Sequence, residues 1–218
     1  NKGVLVDERM ETNMPGVFAA GDVAEGYDLL LKIKRPIPIW PNAYIQGRIA
    51  GLNMAGERVE FFGGIAMNAA HFFGLPVVSA GIFNPPEDEI IRFKEVEGSK
   101  KEGDPLKDGE TGDGYVVLEQ FSPEKKYYKK LVLLAGRLVG MIGVGEAVER
   151  SGILLGCIRQ GINISGFEED LFKETSLISL PDEVRKGLLN NSSSRGLFSG
   201  HRAFSSWQPG ACKNQRGG

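Results

Sequence analysis

The sequence predicts an α/β fragment of a doubly wound domain followed by a small α+β domain. Three observations predict it. Two short apolar strand signals, "GVLVD" and "GVFAAGD", flank a polar turn near the start of the chain and precede one long helix. The apolar alternation in "GYVVLEQFSPEKKYYKKLVLLAGRLVGMIGVG" then marks three strands in succession. A helix over residues 146–160 follows them and stops at Gly161, the usual residue for a C-terminal cap.

Taken in order, "GVLVDERM" reads as a short strand and a polar turn, and "GVFAAGD" as a second, buried strand. Residues 26–40 read as a connection, because Pro36 and Pro38 exclude a helix. Pro41 suits the first turn of a helix, where its missing N–H costs nothing, so that helix is placed at 41–55. Ala43, Gly47, Ala50, Gly51 and Met54 share one of its faces, and the face is mostly small. Such a face suits close approach to something flat and rigid, whether a sheet or a ligand.

From about residue 58 the character changes. "AMNAAHFFGLPVVSAGIFNPPEDE" predicts two short strands broken at 74–76. The three-strand meander turns at 122–125 and 135–137. Its Leu131, Leu133, Val139 and Ile142 are expected to form one core with Leu154 and Ile158 of the following helix. "SLPDEVRKGLLN" predicts a short terminal helix, and the Ser-, Gly- and Asn-rich end beyond residue 190 is expected to be disordered or loosely packed. The domains expected are 1–56, 57–180 and 181–218.

Composition narrows the function classes. The 218 residues carry a net charge of −2, and the four basic residues after 189 leave residues 1–189 at −6. An acidic body argues against nucleic acid, which requires a basic footprint. The longest apolar stretch is interrupted by Arg137 and is too short to span a bilayer. Cys157 and Cys212, with His71 and His201, offer neither a disulfide framework nor metal-ligand spacing. With no signal peptide, a cytoplasmic, reducing setting is expected. Because residue 1 is Asn and a strand signal begins almost at once, the numbering is expected to start inside a longer polypeptide.

The "AAGD" string carries the chemistry. Gly21 allows the backbone to approach a ligand, since no Cβ intervenes. Asp22 can then accept hydrogen bonds from sugar or polyol hydroxyls at the carboxyl end of a parallel strand. The longer "VLVDERMETNMPGVFAAGDVAEG" closely resembles the second flavin-binding motif of FAD-dependent pyridine nucleotide-disulfide oxidoreductases, with Thr12, Pro15, Gly16, Val17, Phe18, Ala19, Gly21 and Asp22 matching in order. The resemblance implies that the aspartate binds the ribityl chain of FAD. "PIWPNAYIQGRIAGLNMAG" is similar to the next family element, a helix whose start faces the pyrimidine edge of the flavin. Its positive end and backbone N–H groups stabilise the charge that a reduced flavin gains. Since Pro41 lacks an N–H, Asn42 and Ala43 are the expected donors.

"MNAAHFFGLPVVSAGI" and "YYKKLVLLAGRLVGMIGVGEAVERSGILLGCIRQG" resemble the C-terminal domain of the NADH-rubredoxin reductase, NADH oxidase and nitrite reductase large-subunit group. The resemblance spans about residues 3–178. It implies the C-terminal part of a flavoprotein that passes electrons from NAD(P)H through FAD to an acceptor, either a redox protein or a small molecule. The family's Gly-rich pyrophosphate turn and its NAD(P)H-binding unit do not occur in this segment, so the chain alone is expected to be incomplete and inactive. A homo-oligomer, or a second chain supplying the missing half, is compatible with this reading. The alternative is a non-catalytic α+β interaction or assembly module that binds no flavin by itself.

No residue is assigned a catalytic or metal role. Any redox cysteine of such a family lies in the missing part, and Cys157 in "GILLGCIRQ" reads as a small buried hydrophobe. "GVGEAV" has Val148 where a dinucleotide fingerprint needs its third glycine. "DPLKDGETGDGY" has acid spacing reminiscent of a calcium loop, but Leu106 and Tyr115 fall at ligand positions. The carboxylates of "PPEDE" lack an acid–base partner, and His71, between Ala70 and Phe72, reads as a core or interface histidine.

Overall fold

The computed structural model describes residues 2–95 and 114–165, together with helical Asp182, Arg185 and Lys186. Strand β1 (Val4–Leu5) pairs parallel with β2 (Ala24–Tyr27), which pairs antiparallel with β3 (Lys34–Arg35). The buried carboxylate of Glu25 fastens the β1 end by accepting the backbone N–H groups of Lys2 and Gly3. Those two bonds hold its carboxyl below the usual carboxylate range.

The strand expected at 16–22 is not formed. Residues 10–19 fold back on themselves instead: Glu11 bridges Phe18, the Thr12 N–H donates to the Val17 carbonyl at 2.8 Å, and the Ala19 N–H donates to the Met10 carbonyl at 3.1 Å. Gly21 then turns left-handed at φ +80° and opens a single 3-10 turn, Gly21–Val23. The parallel strand therefore starts after the glycine–aspartate pair rather than ending on it.

Prolines do keep residues 28–39 out of a helix, and Asp28 organises this stretch. Its carboxylate, 2% exposed, accepts the N–H groups of Leu30 (2.9 Å) and Leu31 (3.0 Å) and the Nε of Arg35 (2.8 Å). Helix α1 (Trp40–Met54) follows, with Pro41 in its first turn as expected. Its buried face is Asn42, Gln46, Ile49 and Ala50, which pack toward Ala24, Phe61, Val6 and Met10. The small face read from the sequence is largely elsewhere: Gly47, Gly51 and Met54 are exposed, and a Cβ at either glycine would meet nothing within 4 Å. Period alone picks no face on a helix where both stripes are plausible; the larger apolar area of Ile49 against Phe61 does.

The second sheet has six strands in the order β4-β5-β9-β8-β7-β6: β4 (Met67–Phe72), β5 (Leu75–Gly81), β6 (Ile90–Glu95), β7 (Tyr115–Ser122), β8 (Tyr127–Leu134) and β9 (Arg137–Val144). The β7–β8–β9 meander matches the sequence reading, whereas the break expected at 74–76 falls at 73–74, with Leu75 and Pro76 already paired in β5; only the β6–β7 pair is parallel. The helix expected over 146–160 is a 3-10 turn, Gly145–Val148, followed by α2 (Ser151–Gln160). It closes at left-handed Gly161, φ +57°, whose carbonyl accepts from the Arg137 guanidinium.

One sheet face carries the main core, with Leu131, Leu133, Leu138, Met141 and Leu118 against Leu154, Cys157 and Ile158 of α2. Leu30 and Ile65 join this core from the N-terminal part. Two of the expected core members are placed differently. Val139 lies with Val117 and Val132 on the opposite face, and Ile142 is only half-buried. The cause is an irregularity in the β8–β9 register between Val132 and Leu133, which leaves Val139 without a partner. One extra residue inverts the inside–outside parity beyond it, so Met141 takes the place that strict alternation gives to Ile142. His71 is exposed on β4 rather than in a core. The expected terminal helix is represented by Asp182, Arg185 and Lys186, with Arg185 paired to Asp182; the expected loose end and residues 104–113 of the acidic loop lie outside the described residues.

Two outcomes follow from this packing. Leu131 is fully buried at the centre of the sheet, so Leu131→Ala is expected to lower stability by about 2–5 kcal/mol in urea denaturation. Lys129 is 4% exposed, and burial, with Arg150 nearby, pushes its amine down to about 8. Above that pH the unfolded chain holds a proton that the folded chain has released, until the unfolded lysine titrates near about 10.5. Stability is therefore expected to gain a rising contribution from pH 8 toward 10, measured by denaturation across that range. Lys129→Met is expected to remove that rise.

Candidate functional site

The site is built where the Gly21–Val23 turn meets the start of α1. The Gly21 N–H donates to the Gln46 Oε1 at 2.8 Å, and a Cβ at Gly21 would lie 3.3 Å from the Ala43 Cβ. Gly21 therefore brings the turn against the first coil of the helix. Asp22, next in the chain, is exposed, and no hydrogen bond or ion pair engages its carboxylate among the described residues.

The helix start is equally open. Ile39 is its N-cap, in extended conformation at φ −141° and ψ 143°, and its side chain caps nothing. The Ala43 N–H donates to the Ile39 carbonyl at 3.1 Å, the first bond of the helix. The Trp40 and Asn42 amides come before that bond, and Pro41 has no amide to offer. Trp40 and Tyr44 stack one turn apart on the outer side, ring centroids 5.6 Å apart, with Trp40 77% exposed.

Two buried amides seat α1. Asn42, 4% exposed, directs its Nδ2 toward the Ile65 carbonyl at 3.5 Å, in a space that exists because residue 64 is glycine; a Cβ there would come within 2.7–2.9 Å of the Asn42 side chain. Gln46, 1% exposed, occupies a similar space over Gly26, where a Cβ would stand 2.5 Å from its Nε2. The Gly21–Ala43 contact thus sets the turn of Gly21 and Asp22 against the first coil of α1, which carries Pro41 and Asn42; Ala43, expected as a donor, gives its N–H to the Ile39 carbonyl instead, because it sits at the position where the helical ladder begins. Sequence reasoning missed Gln46, Gly26 and Gly64. The signal available was the spacing of Asn42 and Gln46, two amides four residues apart on the same side as Ile49 and Ala50.

The other sequence motifs resolve into structure. Gly145 of "GVGEAV" has φ +66° and lies against the Lys126 carbonyl, a packing reason for a glycine that involves no nucleotide. Cys157 is 1% exposed, and burial pushes its thiol up to about 11, away from reactivity. Among the described residues no three His, Cys, Asp or Glu side chains group to hold a metal ion, and no helix is long and apolar enough to cross a membrane.

Residues 1–47 match the family described as pyridine nucleotide-disulphide oxidoreductase. The chain is 31% identical over 150 residues to the NADH-dependent phenylglyoxylate dehydrogenase subunit epsilon of Aromatoleum evansii, covering 66% of this chain and 29% of that protein. It is 37% identical over 82 residues to an NADH oxidase of Streptococcus pneumoniae, covering 38% of this chain and 18% of that one. Among solved structures, an NAD-dependent persulfide reductase from A. fulgidus matches with a TM-score of 0.55 and 25% identity, over 74% of this chain and 28% of the other. The NADH:rubredoxin oxidoreductase of Clostridium acetobutylicum shares the fold, with a TM-score of 0.51 and 22% identity, over 79% of this chain and 36% of the other. The chain therefore spans less than a third of the length of the two curated relatives. The resemblance carried by Thr12–Asp22 is borne out.

Gly26→Ala tests the seat of Gln46. The new Cβ must displace Gln46 and press on Phe61 at 3.2 Å, so a loss of about 1–3 kcal/mol is expected in urea denaturation.

Proposed function

We propose that this relative of the pyridine nucleotide-disulphide oxidoreductases is the C-terminal portion of a flavoprotein that passes electrons from NAD(P)H through FAD to an acceptor. In this reading residues 1–56 close the FAD-binding domain, 57–180 form the α+β domain beside it, and 181–218 follow as the terminal segment. The single observation that carries the reading is the Gly21–Ala43 contact, which sets the turn bearing the exposed Asp22 against a helix start whose Trp40 and Asn42 amides precede its first bond.

The residues present fit a flavin. A glycine at φ +80° presents backbone to the ligand side, and an exposed carboxylate with no partner among the described residues suits a polyhydroxyl chain. The amides before the first bond of α1 suit an electron-rich ring edge. Bound there, FAD would supply hydride acceptance from a nicotinamide and transfer of electrons onward. Asp22 would hold the ribityl hydroxyls, the Asn42 N–H and the positive end of α1 would stabilise negative charge at the ring edge, and Gly21 would let the turn pack against Ala43.

The β1–β2 pair supports a larger parent domain. Parallel strands are normally covered on both faces, yet Val4 is 38% and Leu5 47% exposed. Further strands and the pyrophosphate-binding turn would come from residues beyond this chain. An electron acceptor, either a redox protein or a small molecule, would approach the assembled site.

The chain alone is therefore expected to bind FAD weakly, tested by flavin-fluorescence titration; saturable submicromolar binding overturns the need for the missing half. In the full-length polypeptide, Asp22→Ala leaves ribityl hydroxyls unpaired and is expected to weaken FAD binding about tenfold to a hundredfold, measured by equilibrium dialysis. A full-length protein that is colourless as purified supports the interaction-module alternative instead.

A further inference from the structure

Gln46 ties the Gly21–Val23 turn to α1 by a side-chain hydrogen bond, and it stands outside the residues that would meet a ligand. Its Oε1 accepts the Gly21 N–H at 2.8 Å, its own residue is 1% exposed, and it stands one helical turn below Asn42 on α1. The orientation of its amide is set by its surroundings. Nε2 points over Gly26, in the space that any Cβ there would fill, and this turns Oε1 toward Gly21.

The partner matters as much as the bond. Gly21 is left-handed, and its N–H points away from the ladder that starts at Ala24, so no strand partner can satisfy it. Neither end of the Gly21–Val23 turn has a side-chain cap; the Ala24 N–H returning to the Gly21 carbonyl is the bond that closes it. Gln46 is thus the anchor between this short turn and a rigid 15-residue helix. Without it the turn keeps the Gly21–Ala43 contact and its continuity with β2, neither of which is a directed bond to the helix.

We propose that Gln46 is a positioning residue: its side-chain oxygen fixes the Gly21 N–H and thereby aims Asp22 at the same ligand that the α1 start faces. The inference rests on the flavin reading and deepens it, by assigning the alignment of Asp22 with the helix to one hydrogen bond. Gln46 touches no ligand itself. Its effect on cofactor affinity passes through Asp22.

The test uses the full-length polypeptide with three single variants and one double. Gln46→Met keeps the shape of the side chain and removes the acceptor; Gln46→Glu keeps an acceptor. FAD affinity by equilibrium dialysis is expected to fall about tenfold or more in Gln46→Met and to stay within about threefold of the parent in Gln46→Glu. Combining Gln46→Met with Asp22→Ala is expected to weaken binding no further than Asp22→Ala alone, because the lost alignment has nothing left to align. Independent, additive losses would overturn the proposal, since a purely structural role predicts addition. Amide exchange of Gly21, read by NMR on the present chain without cofactor, is expected to speed up at least tenfold in Gln46→Met, and unchanged exchange would also overturn it. If Asp22→Ala leaves FAD affinity intact, the flavin reading fails, while the exchange measurement still decides whether Gln46 holds the turn.

Discussion

Asp28 sits at the joint between the three-stranded and six-stranded sheets, buried to 2% exposure and saturated with donors. Two come from the backbone of Leu30 and Leu31 and the third from the Arg35 guanidinium on β3. Beside it, the backbone at Asp28 bridges Gly64 in parallel, and the Leu29 N–H donates to the Gly64 carbonyl at 3.0 Å. A buried carboxylate is costly unless fully paired, and breaking one such pair in a core costs about 3–5 kcal/mol. The consequence is geometric: the turn that Asp28 shapes delivers Leu30 into the main core beneath α2, and the Gly64 segment delivers Asn42 its seat. The two layers are therefore held by a polar clasp with an apolar residue on its far side.

Around that joint, α1 is seated by polar groups where an ordinary core helix would use leucines. Asn42 and Gln46 each need a glycine opposite, at Gly64 and Gly26, because an amide is flat and wide and its hydrogen bonds demand a fixed approach. Apolar side chains tolerate small rotations of a helix; an amide that must keep a directed hydrogen bond, Gln46 through Oε1 and Asn42 through Nδ2, tolerates less. A helix whose first turn must face a ligand gains direction from that arrangement, while Ile49 and Ala50 supply the apolar burial further along.

Much of this fold was legible. The meander, its turns, the Gly161 cap and the proline-started helix all rest on local chemistry: turn residues, fixed φ and period-2 alternation. That Gly21 would lie against the start of α1 was implied by the family resemblance of the two segments. The errors share one cause. The strand at 16–22, the small face of α1 and the core placement of Val139 and Ile142 each depend on which of two allowed sides a segment turns inward. That choice is made by residues distant in sequence, namely Met10 for Ala19, Phe61 for α1 and the β8–β9 register for Val139.

By itself, the sequence determined where the chain could turn and where a helix could begin and stop, because glycine, proline and alternating apolar residues act over a few bonds. Tertiary structure alone decided that Gly21 would be left-handed rather than the end of a strand, and that Gln46 would hold its N–H from 25 residues away. It also decided that the backbone at Asp28 and Leu29 would bridge Gly64, 35 and more residues on, just ahead of the six-stranded sheet. The physical reason is that a buried polar group must find a partner in three dimensions, and its choice of partner follows from how whole elements pack.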